Sequence, residues 1–211
     1  MVGFFRRHGL DAERTALLEG RGPTYRGRVD GLPVEYRRLM EGELLRIGGN
    51  DWRVIVGYGH SPEHASLHCA ELGVLISGDM LLPRISTNVS AMSSTPDGDP
   101  LGWFLDSIER LTELPEDTLV LPSHGKPFRG IHARADQLAA HHEERFAALL
   151  AVLDAPKSAC ELIPTLFSRA LDAHQTMFAM GEAIAHLNYL EHAGRVRRSS
   201  GADGVVRFVA V

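Results

Sequence analysis

Three β-rich runs in this chain lead into a glycine set beside a side chain that can bind a metal or carry a proton: Gly59-His60, Gly78-Asp79 and His124-Gly125. A glycine at such a point lets the backbone turn sharply, so its neighbour can be aimed across the end of a sheet. Functional groups collect at strand ends of this kind in α/β folds. Strands are expected over Trp52–Val56, Ala65–Cys69, Gly73–Ile76 and Thr118–Leu121. Between the last two, Asp99 caps a helix and Pro100 takes its first position, with Leu101, Phe104, Leu105, Ile108 and Leu111 as its apolar stripe. A long amphipathic helix is expected from Ile131 to Leu153. These elements predict an α/β (α+β) fold.

The ends of the chain read differently. Before Gly49 the pattern gives one helix over Asp11–Glu19, broken at Gly20-Arg21-Gly22-Pro23, and a short strand and turn over Leu44–Gly49. His8 has no partner at ligand spacing and reads as a surface residue. A composition shift at Asp154–Ser158 divides the sequence into a domain over 1–153 and a smaller one over 154–211. Ser158 and Glu161 form a capping box. A second helix runs from Thr176 to His192 and is closed by Gly194. Arg195–Arg198 and Val205–Val209 then form a hairpin around Gly201–Gly204. Helix, helix, hairpin outlines a small winged-helix-like unit. Arg195, Arg197, Arg198 and Arg207 on that hairpin are either a solvated wing or contacts for nucleic-acid phosphates.

Charge and cysteine usage narrow the functional classes. A formal net charge of −5 argues against a dedicated nucleic-acid binder. Cys69 and Cys160 stand alone in their segments, which fits a reducing cytoplasm rather than a disulfide framework. No apolar run approaches membrane-spanning length, and Met1–Arg7 lacks the form of a signal peptide. A cytoplasmic protein without membrane association is expected.

His60, Asp79 and His124 are a donor set suited to zinc, and nearly as well to iron or manganese. Their surroundings are Gly59-His60-Ser61-Pro62-Glu63-His64, Ser77-Gly78-Asp79-Met80-Leu81 and Pro122-Ser123-His124-Gly125. In order and approximate spacing these resemble the last three metal motifs of the metallo-β-lactamase superfamily, most closely over Asp51 to Gly130. The resemblance implies an αββα sandwich holding two metals, with His60 on the first, His124 on the second and Asp79 bridging them. It also implies hydrolysis of an ester, thioester, amide or phosphodiester by metal-activated water. The C-terminal helices and hairpin look like the winged-helix extension of some lactamase-like hydrolases, a ribonuclease group among them.

The family's His-x-His-x-Asp-His signature is absent from this sequence. The chain therefore resembles the C-terminal half of a family member, and an incomplete metal site is expected. One ion on all three ligands, or two ions poorly held, are the alternatives. Tyr58, His64 and Asn88 are candidate substrate contacts or structural residues beside the site. His141 and His142 read as solvent-facing, and Met177 and Met180 as core. A small-molecule substrate is expected, with self-association or a complementary N-terminal half covering the exposed sheet.

Overall fold

The computed structural model describes residues 1–20, 29, 31 and 33–211. The Arg21-Gly22-Pro23 part of the expected helix break lies outside them. The chain divides into two compact units, one made of Leu39–Ser90 and Asp99–Phe146, the other of Met1–Arg38, Ala91–Gly98 and Ala147–Val211.

The first unit holds β1 (Leu44–Ile47), β2 (Asn50–Gly57), β3 (His64–Cys69), β4 (Val74–Gly78), α3 (Pro100–Leu111), β5 (Leu119–Pro122) and most of α4 (Ile131–Leu150). Its strands form one sheet in the order β1-β2-β3-β4-β5. The first four pair antiparallel, whereas β5 lies parallel to β4, and α3 provides the crossover that a parallel pair requires. The register places Val54, Leu67, Ile76 and Leu121 in one row and His68, Leu75 and Val120 in the next. Successive residues of a strand point to opposite faces, so the two rows look out on opposite sides of the sheet. Leu75 and Val120 are fully buried; Ile76 is 40% exposed, and Leu67 and Leu121 are half-buried.

The two helices of this unit follow their caps and stripes. Asp99 accepts from the Gly102 amide at 2.8 Å, and Leu101, Phe104, Ile108 and Leu111 are buried. In α4 the buried face runs Ile131, Ala135, Leu138, His142 and Phe146. His142 is thus no solvent-facing residue: it is 2% exposed and sits edge-on to the Phe104 ring. The helix stops at Leu150 rather than Leu153, where bonds three residues apart tighten the chain ahead of Pro156.

The second unit opens with α1 (Val2–Arg7), a helix that the sequence reading did not anticipate, followed by α2 (Ala12–Glu19). Phe4 and Phe5 are buried, and so is His8, whose Nδ1 donates to the Phe4 carbonyl at 2.9 Å. His8 is therefore a core residue and not a surface one. Asp11 caps α2 by accepting from the Arg14 amide. Further on, α5 (Ala159–Leu166) starts at the Ser158–Glu161 capping box. Helix α6 (Ala173–His192) starts three residues before Thr176, because Asp172 and Gln175 form a second capping box. Gly194, at φ +69°, turns the chain out of α6. The antiparallel hairpin of β6 (Val196–Ser200) and β7 (Val206–Ala210) completes the expected helix–helix–hairpin order. No helix among the described residues is long and apolar enough to cross a membrane.

A polar knot holds the hairpin within this unit. The buried Asn188 donates to the carbonyls of Pro96 and Gly98 at 3.0 and 2.8 Å, and its Oδ1 accepts from Arg198. Arg198 also pairs with Asp97 and Glu191. On the opposite strand Arg207 pairs with Asp203, whose carboxyl it holds well below the usual carboxylate range. Arg198 and Arg207 are thus engaged by acids of their own unit.

Candidate metal centre

The ends of β2, β4 and β5 bring His60, Asp79 and His124 together. Gly59 makes the first turn, at φ +98°; a Cβ there would lie 2.4 Å from the Pro100 carbonyl and 2.5 Å from Cβ of Phe104, so only glycine lets α3 approach this closely. Gly78, at φ +53°, makes the second, and a Cβ there would strike the His64 ring at 2.5 Å. His60 Nε2 lies 3.3 Å from Asp79 Oδ2, and His124 Nε2 lies 3.5 Å from Asp79 Oδ1. The carboxylate therefore stands between two imidazoles, each facing a different oxygen. His124 is the open side, 66% exposed, against 27% for Asp79.

Hydrogen bonds fix this arrangement from behind. His60 Nδ1 lies 3.0 Å from the Asn88 carbonyl. A carbonyl can only accept, so Nδ1 carries the proton and the Nε2 lone pair of neutral His60 points at Asp79. The Asp79 amide donates to His64 Nε2 at 3.2 Å, Thr87 donates to the Asp79 carbonyl at 2.6 Å, and the Ser123 hydroxyl donates to Asp79 Oδ1. Burial, and then the neighbouring His60, push the His64 pKa below its ordinary value.

Of the candidate substrate contacts, His64 and Asn88 thus meet the site as supports for Asp79 and His60. Tyr58 is exposed, and its backbone amide donates to Ser107 at 2.9 Å. Ser123 is a further site residue, and its only local signal in the sequence is a hydroxyl one residue before His124.

The donor chemistry fits metal. A lone pair and a carboxylate oxygen facing each other repel, and a cation between them relieves that repulsion. Among the described residues, however, no group of three or more His, Cys, Asp or Glu is arranged to hold one ion. Each side of Asp79 offers one imidazole nitrogen and one oxygen. Neither side alone is a closed site for an ion.

Several known proteins and families are similar to this chain. Residues 146–211 match the family described as "Metallo-beta-lactamase-like, C-terminal domain". The probable metallo-hydrolase YqjP of Bacillus subtilis is 29% identical over 149 residues, covering 68% of this chain and 46% of that protein. The hydroxyacylglutathione hydrolase of Cereibacter sphaeroides is 32% identical over 117 residues, covering 52% and 41% respectively. A crystallised beta-lactamase domain protein from Burkholderia ambifaria superposes on 98% of this chain with a TM-score of 0.93 and 48% identity, and 60% of its own length is covered. The metallo-beta-lactamase family protein TTHA1429 from Thermus thermophilus gives a TM-score of 0.80 and 36% identity, with 98% and 62% covered. The chain thus spans less than half the length of the first two relatives and about three-fifths of each solved chain. Residues 6–124, more than half of the chain, match the family described as "Metallo-beta-lactamase superfamily", and to that superfamily the chain belongs.

Proposed function

We propose that this chain carries one side of the active site of a zinc-dependent hydrolase that acts on a small ester or thioester. The observation that carries the reading is the placement of His60 and His124 against opposite oxygens of Asp79. Nitrogen and carboxylate donors suit zinc, and iron or manganese accept the same set. Bound metal would supply a Lewis acid and lower the pKa of its water to about 7.

The chain's own residues prepare the site. Asn88 fixes the tautomer and orientation of His60, and Ser123 together with the Asp79 amide contact to His64 fixes the carboxylate. Such outer contacts set ligand direction and basicity, and they are worth about 10–100-fold in metal affinity or activity. Asp79, shared by both sides, keeps the two positions at a common spacing. The exposed His124 leaves its side open for a substrate carbonyl.

Two donors per ion do not close a site, and the Ile76 face of the sheet is half open to water. One explanation covers both: a complementary polypeptide, equivalent to the portion of the longer relatives that this chain does not span, packs on that face and brings the missing donors. Separate cysteines and the absence of a spanning helix among the described residues fit a cytoplasmic setting. The helix–helix–hairpin region reads as a winged-helix-like unit with a solvated wing, since Arg198 and Arg207 are already paired.

Zinc binding by competition with a chromophoric chelator tests the reading. Asp79→Ala removes the carboxylate common to both positions and is expected to abolish binding, whereas His60→Ala lowers the stoichiometry. Unchanged zinc binding in Asp79→Ala would overturn it. In the completed protein, turnover of thioesters and esters above phosphodiesters is expected; a strict preference for phosphodiesters would point to a nuclease instead.

A further inference from the structure

Beside His124 lies a cavity of about 610 Å³, within the usual size range of small-molecule sites. Two loops wall it, one carrying Pro83, Arg84 and Ile85, the other His124, Lys126 and Phe128. Both loops are held in place. From α4, Arg134 donates through Nε to the Leu82 carbonyl at 2.7 Å and through Nη2 to the Ile85 carbonyl at 2.9 Å. Phe128 exchanges backbone hydrogen bonds of 2.8 and 3.1 Å with Val120 in β5. The walls meet at Gly125, whose φ is +88° and where a Cβ would lie 2.7 Å from Cγ of Pro83. This is a preformed pocket.

Its chemistry is one-sided. Arg84 and Lys126 are exposed, and no acidic side chain stands among the described lining residues. Pro83, Ile85 and Phe128 add apolar surface on the same walls. Two unopposed cations beside apolar surface select an amphiphilic anion: a guanidinium fork grips a carboxylate or phosphate in two places, and an ammonium adds a point charge. His124 lies on the same wall, so a molecule bound here also reaches the candidate metal centre.

We propose, resting on the hydrolase reading, that this cavity binds the anionic group of an acyl ester or thioester substrate, and that Arg84 and Lys126 make the site selective for charged over neutral acyl compounds. The anionic group is a carboxylate or a phosphate, and the apolar part of the substrate packs on Ile85 and Phe128.

Calorimetric binding of octanoate, octyl phosphate and octanamide to the chain in EDTA tests this without metal or turnover. At least one anion is expected to bind ten times or more tightly than octanamide. The tighter of the two identifies the head group. In the Arg84→Gln/Lys126→Gln double variant the preference is expected to vanish while the thermal melt stays that of the wild type, because both side chains are exposed. Equal binding of octanamide, no binding of either anion, or an undiminished preference in the double variant overturns the proposal. The hydrolase reading fails separately, by zinc binding that is unchanged in Asp79→Ala.

Discussion

The two faces of the five-stranded sheet share the same strands and differ in every second residue. On one face Ser66, Ser77, Leu75 and Val120 are all essentially buried, the serines included. On the other, Val54 is buried, yet Ile76 stands 40% exposed between half-buried Leu67 and Leu121, and Ile47 on β1 is 50% exposed. The usual alternation puts apolar residues inward and polar ones outward. Here the buried face tolerates hydroxyls, whereas the open face is almost wholly apolar. The difference teaches that the open face is apolar enough for burial, although Ile76 and Ile47 stay exposed on it, while the other face is covered over β3, β4 and β5 and open only toward β1, at Leu44 and Arg53. Apolar residues exposed together on a sheet face suit a contact surface.

The sharpest contrast is between neighbours. Leu75→Ala empties a fully buried position and is expected to cost about 2–5 kcal/mol of unfolding free energy. Ile76→Ala, one residue on, is expected to cost about 1 kcal/mol or less in the chain alone, because water already reaches that side chain. Urea melts of the two variants check this; equal losses would show that the open face is covered after all.

Association gives a smaller but more specific readout. The purified chain is expected to self-associate through the open face when its complement is absent, and Ile76→Asp to shift it toward monomer in sedimentation velocity. A compact wild-type monomer that ignores this substitution contradicts the account of the face.

The mildest effect concerns pH. Burial first, and Arg53 second, push the pKa of His68 on the covered face below its ordinary value. The unfolded chain then takes up a proton at about pH 6.5 before the native state does. Stability is therefore complete above that pH and declines as pH falls below it. His8 and His141, also depressed chiefly by burial, act in the same direction. His68→Gln is expected to flatten part of the decline in urea midpoint between about pH 7 and 5; a steeper decline would contradict the sign.

Much of this was legible in the sequence because the signals were local. Strand alternation, the Asp99-Pro100 start and the Ser158–Glu161 box located their elements, and glycine beside a polar residue located His60, Asp79 and His124. His142 was misread although its signal was present: it lies four residues after Leu138 and four before Phe146, on the stripe itself. Helix α1 escaped because six residues are too few to show a period. The Arg134 clamp and the placing of Arg84 and Lys126 around one cavity bring together loops far apart in sequence, and no local pattern encodes that meeting.

We propose that this chain holds one edge of a two-ion hydrolase site, completed by a complementary polypeptide. The most direct measurement is thioester hydrolysis by the zinc-loaded chain, alone and mixed with the part of the Burkholderia ambifaria relative that this chain does not span. Little turnover alone is predicted, with turnover appearing on mixing and lost again in His60→Ala. Efficient zinc-dependent turnover by the chain alone, abolished by His60→Ala, would contradict the claim and show that His60, Asp79 and His124 suffice.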